Sequence, residues 1–225
     1  MSTDYFWQWF SERQASLADR AYSFELMFRH LDQRSGPVTI VETGCTRQPG
    51  NWAGDGQSTV LFDQYVQHRG LHSGVWSVDL DPAAVAQCQR LVSAQTTVTQ
   101  ADSVAWLHQL GPQLAAQDRH IDLVYLDSYD VDFAYWFVSA AHHLKELTAI
   151  VPWITDQTLV VVDDSGLAPV VVQHSPEHMT VARSGGIGGK GRLVAEYAAA
   201  VGAHQEFCLY QVGWTNLGKK VFSKT

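Results

Sequence analysis

Acidic residues stand directly after each of five short apolar or β-branched runs. Glu42-Thr43-Gly44 follows Val38 to Val41, Asp79 follows Val75 to Val78, and Asp102-Ser103 comes just after Thr96 to Gln100. Asp127 follows Ile121 to Leu126, with Asp130 and Asp132 nearby, and Asp163-Asp164 follows Leu159 to Val162. One aspartate in such a place is a common helix cap or loop residue. Acids in register after all five runs point to a shared site. A carboxylate can accept two hydrogen bonds from a vicinal diol, so the acid after the second run suits a ribose. The remaining acids would repel a pyrophosphate but tolerate a neutral nucleoside that carries a sulfonium and an ammonium. The loop after the first run, TGCTRQPGNWAGDGQST, contains glycines without the G-x-G-x-x-G spacing of a dinucleotide site.

Acids so placed converge only if the runs are strands of one sheet. Phe6, Trp9 and Phe10, then Leu17, Ala21, Phe24, Phe28 and Leu31, recur at helical spacing and predict two amphipathic helices before the first strand. Helices are expected over 58–68, from the Asp81-Pro82 cap and first-turn proline to Val92, over 103–114, and over 133–150, each between two of the strands. Helical segments alternating with strands require right-handed crossovers and a mainly parallel sheet covered on both faces. The expectation is a doubly wound α/β domain, whose ligands bind at the carboxyl ends of the strands near the switch in strand order. One domain is expected over 1–225, with 1–35 as a helical N-terminal extension. The Gly/Pro/Ser-containing stretch 166–191 reads as a mobile acceptor loop. A helix over 192–201 follows, then strand-like runs 206–212 and 219–223 that suggest a closing antiparallel hairpin.

At 225 residues with 46% hydrophobic and 17% charged residues, the chain can bury a sizeable core, and 11% aromatic residues argue against disorder. No stretch approaches the roughly 20 apolar residues that span a bilayer, so no membrane partner is expected. Fifteen Lys and Arg against 23 Asp and Glu give a net charge of -8 and no basic stripe, which argues against a nucleic acid partner. The opening MSTDYFWQWF carries Asp4 where a signal peptide would carry a basic residue, and a cytoplasmic protein is expected. Cys45, Cys88 and Cys208 show no C-x-x-C spacing and read as small buried hydrophobes.

The segments IVETGC, GQST, VWSVDLDP, ADSVAWL, IDLVYLDSYD and LVVVDDS resemble, in order and spacing, the motifs of class I S-adenosylmethionine-dependent methyltransferases, over about residues 36–212. Among these the chain looks most like the macrocin-type small-molecule O-methyltransferases, which use magnesium and carry a late KG-containing segment, here Gly189-Lys190-Gly191-Arg192. The first loop is longer than in that pattern, with Arg47 to Ala53 inserted. The resemblance implies a Rossmann-like methyltransferase fold and S-adenosylmethionine as cofactor. It places Glu42, Thr43 and Gly44 along the methionine part, with Gln57, Ser58 and Thr59 at the following helix start. It gives Asp79 to the ribose, Asp102 with Ser103 to the adenine, and Asp127, Asp163 and Asp164 to a divalent metal, Mg2+, whose preference for hard oxygen donors agrees with three carboxylates. Asp127, also beside the cofactor, could receive a proton from an acceptor hydroxyl, with His142 or His143 as reserve bases. The implied partner is a small-molecule acceptor of natural-product, sugar or catechol type, with a homodimer left open.

Competing patterns are weaker. His174-Ser-Pro-Glu177-His178 fits H-x-x-E-H in letters, but Pro176 and the missing helical periodicity oppose a zinc-binding helix. Gly186-x-Gly188-x-x-Gly191 follows no convincing strand and suits a hinge better than a dinucleotide site. Phe6, Trp7, Trp9 and Phe10 could cap an acceptor pocket, form a dimer interface, or simply pack on the sheet's helices. The rival functional readings are a nicotinamide-dependent oxidoreductase on a similar sheet and a non-catalytic cofactor-binding protein of the same fold.

Overall fold

A computed structural model describes residues 4–132 and 135–218. Helix α1 (Asp4–Gln14), a 3-10 segment (Ala15–Arg20) and α2 (Ala21–Asp32) precede strand β1 (Thr39–Thr43). A short α3 (Trp52–Asp55) lies in the first loop, and α4 (Ser58–Arg69) leads to β2 (Gly74–Asp79). Then come α5 (Pro82–Cys88), β3 (Thr96–Gln100), α6 (Ser103–Ala116), β4 (Ile121–Leu126), α7 (Trp136–Ile150) and β5 (Ile154–Val162). The chain continues with β6 (Leu167–Ser175), β7 (His178–Ile187), α8 (Arg192–Val201), β8 (His204–Cys208) and β9 (Val212–Thr215).

The main sheet runs β3-β2-β1-β4-β5-β9-β8, parallel through β5 and antiparallel in its last two strands. This is the doubly wound arrangement with a closing C-terminal hairpin that the sequence predicts. The order turns back between β1 and β4, which pair with Thr43 opposite Leu126. A crevice therefore opens beyond the carboxyl ends of these two strands.

Alternate strand residues feed two cores, as a parallel sheet covered on both faces requires. Ile40, Leu123, Tyr125 and Val161 pack with Phe24, Phe28, Phe62 and Tyr65 beneath α1, α2 and α4. Val41, Val124, Leu126 and Val162 pack with Leu107, Leu110, Leu147 and Val194 from α6, α7 and α8. Each fully buried side chain of this size stabilises the fold by about 1.5–3 kcal/mol. Cys45 and Cys88 are buried in a third, small cluster with Val85 and Val98, while Cys208 is half-buried.

The local expectations meet different outcomes. Phe6 and Phe10 are buried core residues with rings against Phe28, which settles their packing role over a capping one. The stretch 166–191 is not loop throughout: β6 and β7 form a separate two-stranded antiparallel hairpin. The second strand of the C-terminal hairpin is Val212–Thr215, and the expected run 219–223 lies outside the described residues. Among the described residues, no helix is long and apolar enough to cross a membrane.

Candidate functional site

A cleft of about 300 Å³ opens at the carboxyl ends of β1 to β4, bordered by Gly44, Asp79, Asp102, Ser103, Asp127 and His142 among others. Its floor is tight. Gly44 has φ +81°, and a Cβ there would lie 2.5 Å from the Asp127 carbonyl oxygen, so the backbone of β1 can pass β4 only as glycine. Gly44 N–H donates to the Val78 carbonyl (2.8 Å), and Asp127 N–H donates to the Thr43 carbonyl (2.9 Å). These bonds fix the acids after β2 and β4 on opposite sides of the crevice.

Asp79 is aimed by two backbone donors, Cys45 N–H (3.1 Å) and Asp81 N–H (2.9 Å). Asp102 accepts from Ala105 N–H (2.9 Å) and so caps α6 while bordering the cleft. Ser103 Oγ lies 3.0 Å from His142 Nε2, and Tyr129 lies against the His142 ring at 5.4 Å between centroids. Ser58 borders the cleft as well.

Other expected site residues stand behind this wall. Glu42 is fully buried and accepts from Ser58 Oγ (2.6 Å), Thr59 Oγ1 (2.7 Å) and Ser77 Oγ (2.6 Å). Burial pushes its carboxyl up to about 7, against the opposing pull of these hydroxyls. Thr59 Oγ1 in turn accepts from Thr46 N–H (2.9 Å), so Glu42 anchors the first loop. Gln57, buried at φ +52°, holds the same loop through the Gln48 carbonyl (2.7 Å) and Gly50 N–H (3.2 Å). The inserted residues run into α3, capped by Asn51, which accepts from Gly54 N–H.

A second buried carboxylate, Glu146, receives Thr43 Oγ1 (3.1 Å) and Ser128 Oγ (2.5 Å) and lies 3.3 Å from His142 Nε2. Burial alone would raise it, yet the contacts from His142, His143 and the two serines, 103 and 128, hold it below the ordinary value. His143 is fully buried, with Nδ1 2.7 Å from the Ser139 carbonyl and no hydrogen-bond partner at Nε2. Desolvation lowers its pKa to about 4, so the ring is neutral. Of the two reserve bases, His142 reaches the cleft and His143 is sealed beneath it.

Asp127, Asp163 and Asp164 do come together, each offering an oxygen within 4.8 Å of the others. Two buried cations, neither among the expected site residues, share the cluster. Arg20, from the 3-10 segment, donates to both Asp163 oxygens (Nε 3.1 Å to Oδ1, Nη2 2.9 Å to Oδ2) and to Asp164 Oδ1 (3.1 Å). Lys190 Nζ lies 2.6 Å from Asp127 Oδ1 and 3.0 Å from Asp164 Oδ2. Tyr210 Oη donates to Asp164 Oδ1 (2.5 Å) and its ring stacks under the Arg20 guanidinium. Desolvation works to neutralise Lys190, but the surrounding carboxylates hold it protonated, above the ordinary lysine value. A divalent ion needs the oxygens that these cations already use, so the donor set as folded does not fit one. A late Gly-Lys-Gly was the available signal for Lys190. Arg20 had none, because 143 residues separate it from Asp163.

No protein-family model matches the chain, and no curated protein does. Its trace is similar to that of a protein from Clostridium thermocellum assigned as an rRNA methylase, at 11% identity, covering 86% of this chain and 96% of that one, with a TM-score of 0.49. It is also similar to DhpI in complex with SAH, at 14% identity over 96% and 99% of the two chains, TM-score 0.38. A third similar structure is a SAM-dependent methyltransferase from Neisseria gonorrhoeae, at 17% identity over 71% and 67%, TM-score 0.37. The fold class rests on the strand order and register of this chain itself.

Proposed function

We propose that the protein is an S-adenosylmethionine-dependent methyltransferase acting on a hydroxyl of a small molecule. The observation that carries this reading is Asp79, fixed by two backbone N–H groups at the carboxyl end of β2 and facing a cleft at the strand-order switch. A carboxylate so held presents acceptors to a ribose diol. Asp102 and Ser103 stand beside it for the adenine, and Gly44 leaves room for close approach to the methionine part. Glu42, Thr43, Gln57 and Thr59 act from behind by holding that wall in place. An acidic wall without a glycine fingerprint suits a cationic, pyrophosphate-free cofactor.

When bound, S-adenosylmethionine supplies an activated methyl group on a sulfonium. The protein has to orient the acceptor hydroxyl and remove its proton. Asp127, at the end of β4 and partly open to the cleft, is the proton acceptor. His142, linked to Ser103 and Glu146, is the second base within reach of the cleft. The divalent metal assistance that the resemblance implies has no open donor set here, because Lys190 and Arg20 take the acid cluster's oxygens.

Calorimetric titration with S-adenosylhomocysteine tests the reading. Wild type is expected to show saturable binding, and Asp79→Ala to bind roughly 10- to 100-fold more weakly, the loss of hydrogen bonds to a charged group. No binding by folded wild type, or saturable NADH binding that Asp79→Ala abolishes, overturns it.

A further inference from the structure

Five of the six carboxylate oxygens in the acid cluster have a cationic partner within the chain. Arg20 takes both oxygens of Asp163 and Oδ1 of Asp164, and Lys190 takes Oδ2 of Asp164 and Oδ1 of Asp127. Lys190 bridges the acids after β4 and β5, the position a bridging metal would need. Its side chain is 1% exposed, so the ammonium is not a surface charge that swings in and out.

The backbone commits it there. Gly189 has φ +50°, and a Cβ on it would lie 1.9 Å from the Asp164 carbonyl oxygen. A Cβ on Gly191 would lie 2.4 Å from Ser165 Oγ. Lys190 N–H donates to the Asp164 carbonyl (3.2 Å). Two glycines therefore let the turn before α8 press onto the turn after β5 and drive the lysine into the cluster. A magnesium ion sits 2.0–2.1 Å from its ligands, so ion and ammonium compete for the same oxygens.

We propose that Lys190 is the resident cation of the Asp127–Asp163–Asp164 cluster, standing where the resemblance implies a divalent metal, and that it positions Asp127 at the cleft. The cluster is thus closed to divalent ions, and methyl transfer needs none added. Only this last consequence rests on the proposed function. Lys190 is a positioning residue: it reaches the cleft through the Asp127 carboxylate.

The test is Mn2+ titration followed by electron paramagnetic resonance on wild type, Lys190→Ala, Lys190→Arg and Asp164→Asn, with folding checked by circular dichroism. Wild type and Lys190→Arg are expected to show no saturable binding, and Lys190→Ala to gain one Mn2+ site. Wild-type turnover should be insensitive to chelator, and Lys190→Ala should lose kcat with little change in S-adenosylhomocysteine affinity. Saturable Mn2+ binding by wild type that Asp164→Asn removes overturns the proposal, and this arm needs no lysine variant to fold. A folded Lys190→Ala that gains no site also overturns it. The Mn2+ readout is independent of cofactor binding, so its failure is distinct from failure of the methyltransferase reading.

Discussion

Gly44 is where the chain has least freedom at the site. Its φ of +81° disfavours any side chain, and its missing Cβ would meet the backbone of Asp127, which cannot swing aside. Gly44→Ala is expected to cost on the order of 2–4 kcal/mol, left-handed strain and overpacking together. Urea unfolding at constant m measures it, and a loss below about 0.5 kcal/mol, the level of an indifferent surface change, would contradict the tight floor. The strand-end acids were legible at this scale because the residue after a buried strand is fixed by the strand's own pattern. Which of them face the cleft was not legible: Asp79 and Glu42 follow similar runs, yet one borders the cleft and the other lies behind three hydroxyls. That difference depends on Ser58, Thr59 and Ser77, which converge only through the fold.

At the start of helix α6 one residue is both helix cap and cleft wall. Asp102 satisfies the orphan N–H of Ala105 and also borders the cleft, so its capping bond and its charge at the cleft can be separated by substitution. Asp102→Asn keeps a good cap and is expected to hold stability within a few tenths of a kcal/mol, while Asp102→Ala loses about 1 kcal/mol. Chemical denaturation of the two variants side by side checks this, and equal losses would remove the capping role. The central elements were readable because parallel strands buried on both faces are short continuous apolar runs and the helices between them repeat at 3.6 residues. The β6–β7 hairpin was harder. Val170 to Val172 stand opposite Thr180 to Ala182 in a strand pairing, but Gly166, Pro176 and Gly185-Gly186 gave the stretch the composition of a loop. The two strands pair only with each other, outside the main sheet, so no neighbouring strand–helix alternation marks them in the sequence.

Across the whole molecule, two buried titratable groups on opposite sides of β1 set opposing pH dependences. Glu42 rises from an ordinary value to about 7 in the folded state, mainly through burial, with the Asp55 charge in the same direction and three hydroxyls against it. Between about pH 4.5 and 7 the folded chain therefore holds a proton that the unfolded chain has released, and stability falls as pH rises through that window. His143 falls to about 4 through burial, with Lys190 and His142 in the same direction and Glu146 against it. Between about pH 4 and 6.5 the unfolded chain binds a proton that the folded chain refuses, so stability rises with pH there. Each contribution is roughly 3 kcal/mol over its window, from about 1.4 kcal/mol per pKa unit, and the two nearly cancel from about pH 4.5 to 6.5. Glu42→Gln keeps the hydroxyl-lined site filled but removes the titration. Its stability relative to wild type should therefore increase by roughly 3 kcal/mol from about pH 4.5 to 7 and then level off. Urea unfolding of both proteins at intervals across this range measures the difference. A difference that does not change with pH would mean that Glu42 titrates at its ordinary value in the folded chain, and that the buried hydroxyl cradle behind the cleft holds a fully charged carboxylate.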